Sequence, residues 1–387
     1  MGSYNIGIFI YTILQCLSTS FVFSFSIFYM AKRNIDIKYR ITALIFYIAL
    51  PIFGFYSTWL TKDMLFTVFI TMLTIGITEL SFNKEIVKSK KYIIFMICTL
   101  LISMFLRKNG VYISLILGIV VIVIERKNWK QVLTIFLIPI ILFKIVDGPI
   151  RNKMGIEDGS KLEMFSIPAQ QMARIYKYDF DKLDDKQKEK IKFYITDNNI
   201  EDIYDPVLSD PVKAKLNADG INNKKIEFIT FCIELAIKYP VRTIQSFLCT
   251  TYKFYYIDND VIRGIEKFKD QSTYVINNML PYEMNIKNNK FDLKLIEQID
   301  DNLYKKDIPV LSTLTGSGIY IIIYLICIGY LIYTKRYRLV LGFLPIFILL
   351  LTQFAGPVVD QRYSYSVFTC LPILLGITFY KKVDNNN

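Results

Sequence analysis

The chain has 387 residues, 53% hydrophobic and 15% aromatic, with a mean hydropathy of +0.35 and a formal net charge of +12. Its apolar residues fall in long blocks rather than helical stripes, which excludes an ordinary soluble globule and points to an integral membrane protein with several spans. The charge does not mark a nucleic-acid binder: residues 147–308 hold 25 of the 46 Lys+Arg and 27 of the 34 Asp+Glu, a balance of −2, so the remainder carries +14. That excess belongs to the membrane part, as cytoplasmic-loop charge does.

Histidine is absent, which rules out a His-containing zinc site and Ser-His or Cys-His nucleophile pairs. Of the six cysteines, Cys16, Cys98, Cys327 and Cys370 lie in apolar runs and Cys232 and Cys249 in the polar region, none at metal-ligand spacing.

In chain order the apolar runs cover 6–30, 41–59, 64–82, 92–106, 111–124, 131–146, 310–333, 339–356 and 363–380. Five cation-bearing segments separate alternate pairs of runs or follow the last. They carry Lys32, Arg33, Lys38 and Arg40; Lys84, Lys88, Lys90 and Lys91; Arg126, Lys127 and Lys130; Lys335, Arg336 and Arg338; and Lys381 and Lys382. One orientation satisfies all five: N-terminus outside, C-terminus inside, nine crossings. A re-entrant hairpin returns to the side it left, so charge parity does not separate it from two full crossings. The start, Met1-Gly2-Ser3-Tyr4-Asn5, has no basic n-region although this topology places it outside. The expectation is a chain truncated at its N-terminus.

This orientation gathers three short charged turns on the outer side. In Leu106-Arg107-Lys108-Asn109-Gly110, two adjacent cations interrupt apolar sequence. A single helix from Tyr92 to Ile124 would be roughly 50 Å long at 1.5 Å per residue, against a hydrocarbon core of about 30 Å. The chain therefore reverses here, with Gly110 accommodating a tight turn. Arg107 and Lys108 are either a phosphate clamp or interfacial cations on a hairpin. Lys62-Asp63 precedes the run from Met64; the pair either contacts a phosphate, a sugar hydroxyl or a metal, or Lys62 snorkels while Asp63 caps the helix. Asp360-Gln361-Arg362-Tyr363 either grips a lipid-linked diphosphate or pairs internally, Tyr363 being a belt aromatic.

Residues 147–308 read as a mainly helical outer region. Ser166-Ile167-Pro168 starts a helix carrying Arg174, and Lys182 to Tyr194 is a charged, solvent-facing helix. Tyr204-Asp205-Pro206 and Ser209-Asp210-Pro211 are turns. Ile226 to Lys238 and Val241 to Tyr256 form two packed amphipathic helices around Tyr239-Pro240.

The segment from Tyr56 through Lys62-Asp63 to Phe66 resembles the second outer-loop acid of GT-C-type glycosyltransferases. Leu106-Arg107-Lys108-Asn109-Gly110 resembles their basic phosphate-binding position, and Asp360-Gln361-Arg362-Tyr363 their late Arg-Tyr segment. Ser166 to Arg174, Tyr204-Asp205-Pro206 and Asp210-Pro211-Val212-Lys213 resemble an uncharacterised bacterial group of multi-spanning proteins placed near these enzymes. The resemblance implies a polyprenyl-phosphate-linked sugar as donor, a cell-envelope acceptor and action at the outer membrane face. It implies Asp63 as catalytic acid or metal ligand, with substrate bound by Lys62, Arg107, Lys108, Asn109, Arg174, Asp360, Arg362 and Tyr363. A divalent cation is the cofactor it allows. The family's leading acid follows its first span; no such loop precedes residue 6, so the chain alone is expected to be inactive. A flippase or transporter of a lipid-linked glycan, or a non-catalytic envelope scaffold, would use the same cations without chemistry.

The expected architecture is an all-α polytopic membrane protein with three parts: an N-terminal transmembrane bundle (1–146), an extracytoplasmic helical domain (147–308) and a C-terminal transmembrane bundle (309–387).

Overall fold

The computed structural model describes residues 2–155, 161–257, 314, 316–354, 356 and 362–380. Among these residues the fold is all-α, with one isolated antiparallel bridge between Ile195 and Leu216. The longer helices are α1 (Gly2–Lys32), α2 (Ile37–Ala49), α3 (Pro51–Thr58), α4 (Lys62–Phe82), α5 (Lys90–Leu106), α6 (Asn109–Ile124), α7 (Trp129–Ile145), α8 (Ser166–Tyr178), α9 (Asp185–Tyr194), α10 (Lys225–Lys238), α11 (Pro240–Thr251), α12 (Ser317–Tyr333), α13 (Leu344–Phe354) and α14 (Tyr365–Thr378).

Among the described residues every apolar run of the sequence is largely helical, but not always as one straight helix. The run 41–59 bends by 62° between α2 and α3. Pro51 supplies no backbone N–H and pushes Leu50 out of the helical region, to φ −81° and ψ 112°. At 146 the helix does not stop: it continues through Arg151–Lys153, past the expected start of the polar region. Among the described residues four helical stretches are long and apolar enough to cross a membrane: Ile6–Lys32, Lys62–Phe82, Arg126–Lys153 and Tyr337–Phe354. The bent α2–α3 pair is a broken span, which would make a fifth, or a re-entrant loop. Helices α6, α12 and α14 are apolar but have only 16, 17 and 14 residues. At 1.5 Å per residue they reach roughly 21–26 Å, less than the hydrocarbon core.

The bundle is organised around α4, which α1, α5, α13 and α14 surround. Its apolar side chains Ile70, Leu73 and Ile77 are fully buried, and so are Thr71, Thr74 and Thr78. The hydroxyls of Thr71 and Thr74 are satisfied within the bundle. Thr71 and Thr74 donate to the carbonyls of Thr67 and Ile70 at 2.9 Å, and the Thr71 and Thr369 hydroxyls lie 2.8 Å apart. Hydroxyl pairs of this kind hold α4 against α14 without a buried charge.

Residues 161–257 have a core of their own, in which Met172, Ile175, Ile191, Tyr194, Phe228 and Leu235 are buried. The expected helix start at Ser166 is observed. The charged helix begins three residues later than expected, at Asp185, because Asp184 forms a capping box with Gln187. It is not wholly solvent-facing, since Gln187, Ile191 and Tyr194 are buried. Asp205 accepts from the backbone N–H groups of Val207 and Leu208 at 2.7 and 3.0 Å, the Asx turn its sequence predicts. The second Asp-Pro opens a one-turn helix, Asp210–Lys213, instead of a turn. All six cysteines are free thiols, and burial pushes the Cys232 thiol up to about 12. The stretch 258–308 lies outside the described residues.

Candidate functional site

The site forms where α3, α4, α5, α6 and the segment leading into α14 end together. Helix α1 sets the turn before α4. Gln15 Nε2 donates to the carbonyls of Tyr56, Ser57 and Trp59 at 3.1, 3.0 and 2.7 Å, and Tyr11 Oη donates to the Thr61 carbonyl at 3.0 Å. These bonds satisfy carbonyls that the end of α3 leaves open. They deliver Asp63, buried, in the first turn of α4.

Asp63 does not cap its own helix through Thr61 or face water. Its Oδ1 accepts from Nε of Arg107 and ion-pairs with Nη2 of the same residue, and its Oδ2 faces Arg362 Nε at 3.8 Å. Arg107 is the residue on which α5 ends, in extended conformation at φ −146°. Its guanidinium carbon lies 4.3 Å from the centroid of the Tyr363 ring, and that of Arg362 lies 4.8 Å from the same ring. Arg362 Nη2 also donates to Tyr363 Oη at 3.0 Å. Gln353, near the end of α13, donates to the Tyr363 carbonyl and fixes the ring's backbone. One carboxylate therefore sits between two guanidiniums, with an aromatic face against both. The trio Asp63, Arg107 and Arg362 carries a net charge of +1 in partly buried surroundings, where cation–π contact and low dielectric favour an incoming anion.

The neighbouring candidates fall around this centre. Asn109 Nδ2 donates to Thr352 Oγ1 at 2.9 Å and ties the start of α6 to α13. Lys108 is exposed, 3.9 Å from Asp147, which Arg151 also holds at 3.0 Å. Lys62 is exposed on the other side of Asp63 along the chain. Asp360 lies outside the described residues. Arg174 is held in the second core instead. Its Nη1 donates to Tyr204 Oη at 2.8 Å and its Nη2 to Gln245 Oε1 at 3.2 Å, and its guanidinium lies over the Tyr178 ring. Burial raises the Tyr204 phenol above its ordinary range, and Arg174 opposes that rise.

Gly110 has a different role from the one its sequence suggests. It is inside α6 rather than in a turn of unusual backbone, and among the described glycines only Gly155 has positive φ. A Cβ at Gly110 would stand 2.8 Å from Met104 N and 2.9 Å from Ser103 C. Glycine lets α6 start against the backbone of α5, which brings Arg107 beneath Asp63.

Sequence reasoning missed Asp147, Gln353 and Gln15, whose roles depend on helix packing. It also gave the opposite end of the bundle no role beyond its positive charge. There Glu79, at the far end of α4, pairs with Arg33 and lies 3.4 Å from Lys32. The buried Glu125 pairs with Arg338, which also donates to the carbonyls of Ser81 and Leu80 at 2.9 and 3.0 Å.

An all-helical chain, with several helices of membrane-spanning length and an arginine-rich cluster at one end of their bundle, defines the class of this protein. It belongs to the family described as a family of unknown function (DUF6020), whose model matches residues 1–387. Neither a curated protein nor a solved structure matches the chain.

Proposed function

We propose that the Asp63–Arg107–Arg362–Tyr363 cluster binds the phosphate of a polyprenyl-phosphate-linked sugar, and that the protein transfers this sugar to a cell-envelope acceptor as a GT-C-type glycosyltransferase. One observation carries the proposal: segments 44 residues apart, and a third near the C-terminus, place two guanidiniums on one carboxylate at the end of an apolar bundle. In this reading the chain crosses the membrane nine times, with this end and residues 147–308 outside. A lipid-borne phosphate then enters from the leaflet at the depth where the guanidiniums stand.

Asp63 is a positioning residue here, not the base. Its Oδ1 is engaged by Arg107 and its Oδ2 faces the Arg362 guanidinium at 3.8 Å, so the carboxylate serves as the counter-ion of both. It keeps both forks aimed at one point and stops them repelling each other. The guanidiniums themselves offset the leaving phosphate's charge. Among the described residues no group of three or more Cys, Asp or Glu is placed to hold a divalent cation. A transporter would require ionisable groups at the midplane. On α4 such groups, Lys62, Asp63 and Glu79, stand near its two ends, and Met64 to Thr78 are apolar or hydroxyl-bearing. This favours a surface site.

The test uses the full chain in lipid nanodiscs with a radiolabelled polyprenyl-phosphate hexose and a cell-envelope acceptor fraction. The wild type should bind the donor and label the acceptor. Arg107→Ala should weaken binding by about tenfold or more, a loss of roughly 1.4 kcal/mol per decade. Arg107→Lys should fare nearly as badly, because the planar fork is lost either way. Wild-type binding by both variants would remove the phosphate site. Donor binding without acceptor labelling would remove glycosyl transfer and leave the site.

A further inference from the structure

The second core is covered on one side by α10 and α11, and these helices bear apolar residues on a second face as well. On α10, Phe228, Phe231, Cys232 and Leu235 point into the core. On the other face Ile226, Ile229, Ile233 and Ile237 are exposed, followed on α11 by Val241, Ile244 and Leu248, at 42–83% of their full accessibility. The spacing is three or four residues within each helix, so the side chains form two consecutive rows, one on α10 and one on α11, that together make the stripe. Seven exposed aliphatic residues in two consecutive helical rows exceed the scattered exposure normal for a water-facing surface.

The position of the stripe indicates what covers it. Helix α11 runs into a short 3-10 turn, Tyr252–Phe254, that is part of the apolar bundle: Phe254 is fully buried in the bundle's core. The rings of Phe247 and Phe254 lie 6.1 and 5.1 Å from that of Phe354, at the end of α13 beside Gln353. Tyr256 is seated on Gly318 at the start of α12, where a Cβ would meet its carbonyl. The stripe thus leads directly to the end of the bundle where Arg107 and Tyr363 stand. Beyond that junction, exposed apolar surface continues on α12 at Leu325 and Ile326. Lys224 and Lys225 stand at one end of the stripe and Lys238 at its middle. Of the acids on α10, Glu227 is met by Lys190 and Lys224 at 3.6 Å. Glu234 lies about 60–100° around the helix from Ile226, Ile233 and Ile237, by the 3.6-residue period. An apolar row with lysines beside it, joined to the end of a membrane bundle, is the arrangement of an interfacial helix.

We propose that α10 and α11 lie in the headgroup–acyl boundary of the bilayer, on the leaflet at the Arg107 end of the bundle, with Ile226 to Leu248 facing lipid. The second core is then held against the membrane along two helices, which restrains it over the mouth of the arginine cluster. The occupant is phospholipid, and the assignment does not depend on which compartment that leaflet faces.

The wild-type chain reconstituted in phosphatidylcholine vesicles containing an acyl-chain diazirine lipid tests this. After photolysis, peptides from 226–248 should carry lipid adducts at a yield comparable to those over Leu325 and Ile326, and peptides from α9 should carry none. Absence of adducts on 226–248, with α12 labelled, overturns the proposal. A second measurement places a single bimane at Ile233→Cys or Ile237→Cys in a background without the native cysteines. Acyl-brominated lipid should quench it to the extent seen for Ile326→Cys. Quenching by aqueous iodide alone would show a water-facing stripe. Quenching by neither would show a protein cover, from a second copy or from residues 258–313. Either result overturns the assignment.

Discussion

Arg107 donates from Nε to Oδ1 of Asp63 and its Nη2 ion-pairs with the same oxygen, joining the end of α5 to the start of α4. The pair is partly buried, with side-chain exposures of 17% and 7%, so removing either member strands a charge. Asp63→Asn leaves Arg107 and Arg362 facing each other without their counter-ion. It should cost about 3 kcal/mol, the scale for breaking a buried pair from one side. The double variant Asp63→Asn/Arg107→Gln should recover part of that loss, because the stranded cation is gone. Thermal unfolding of the full chain in one detergent compares the three proteins. Equal stability of wild type and Asp63→Asn would show the pair to be an exposed, weak contact.

The same hairpin depends on Gly110. A methyl at this position meets the backbone of Met104 and Ser103 at 2.8–2.9 Å, and a backbone cannot rotate aside as a side-chain end can. Gly110→Ala should therefore destabilise by about 1–3 kcal/mol, the range for overpacking. It should also reduce donor binding by displacing Arg107. Gly54→Ala is the matched control, since nothing stands within 4 Å of its Cβ position. Unfolding temperature and donor affinity of the two variants, measured side by side, separate crowding from loss of glycine itself.

Much of the bundle is legible in sequence because an apolar run of bilayer length leaves the backbone little alternative to helix. The break at Leu50-Pro51 was also available there, since proline disfavours helix at the residue before it, but the unbroken apolarity of 41–59 masked it. The pairing of Asp63 was not legible. Whether a first-turn aspartate caps its helix or reaches Arg107 depends on how far α5 and α6 approach α4, which Gly110 and the Gln15 bonds set from a distance. Arg174 shows the converse: its segment suggested the same site, yet the packing of α8 against α11 holds it on Tyr204 and Gln245. Local chemistry identifies groups that can bind an anion; helix crossing decides which of them meet.

The orientation rests on cation distribution and is open to direct labelling. Lys192, exposed on α9, and Lys90, exposed at the start of α5 at the opposite end from Arg107, lie on different sides in the proposed topology. A cysteine at Lys192 should react with a membrane-impermeant maleimide in intact cells, and one at Lys90 only after permeabilisation. The reverse pattern would put the arginine cluster on the cytoplasmic side and remove the lipid-linked envelope donor from its reach.

The second core should respond to acid through Asp179. Arg242 Nε donates to its Oδ2 at 2.6 Å and Lys182 Nζ to its Oδ1 at 2.7 Å. The Arg242 hydrogen bond, with help from Lys182, holds this carboxyl below the usual range for aspartate. A carboxyl whose folded value is depressed stabilises the fold fully above its unfolded value, near 3.9, and loses that contribution as pH falls through the lower folded value. Between pH 5 and pH 7 Asp179 should therefore add no slope, and the loss should begin only below about pH 4. Asp184 and Asp197 are also depressed, chiefly by backbone N–H groups of Gln187 and Asn199, so acid alone does not isolate Asp179. Asp179→Asn does. Hydrogen exchange in α8 and α11 of the full chain should be faster in this variant at pH 7, where the ion pair is lost. Its protection, taken relative to the intrinsic exchange rate at each pH, should also fall less than the wild type's as the pH drops below 4, because one titrating group is gone. Parallel acid responses in the two proteins would mean that Arg242 and Lys182 merely accompany Asp179 without stabilising the α8–α11 contact.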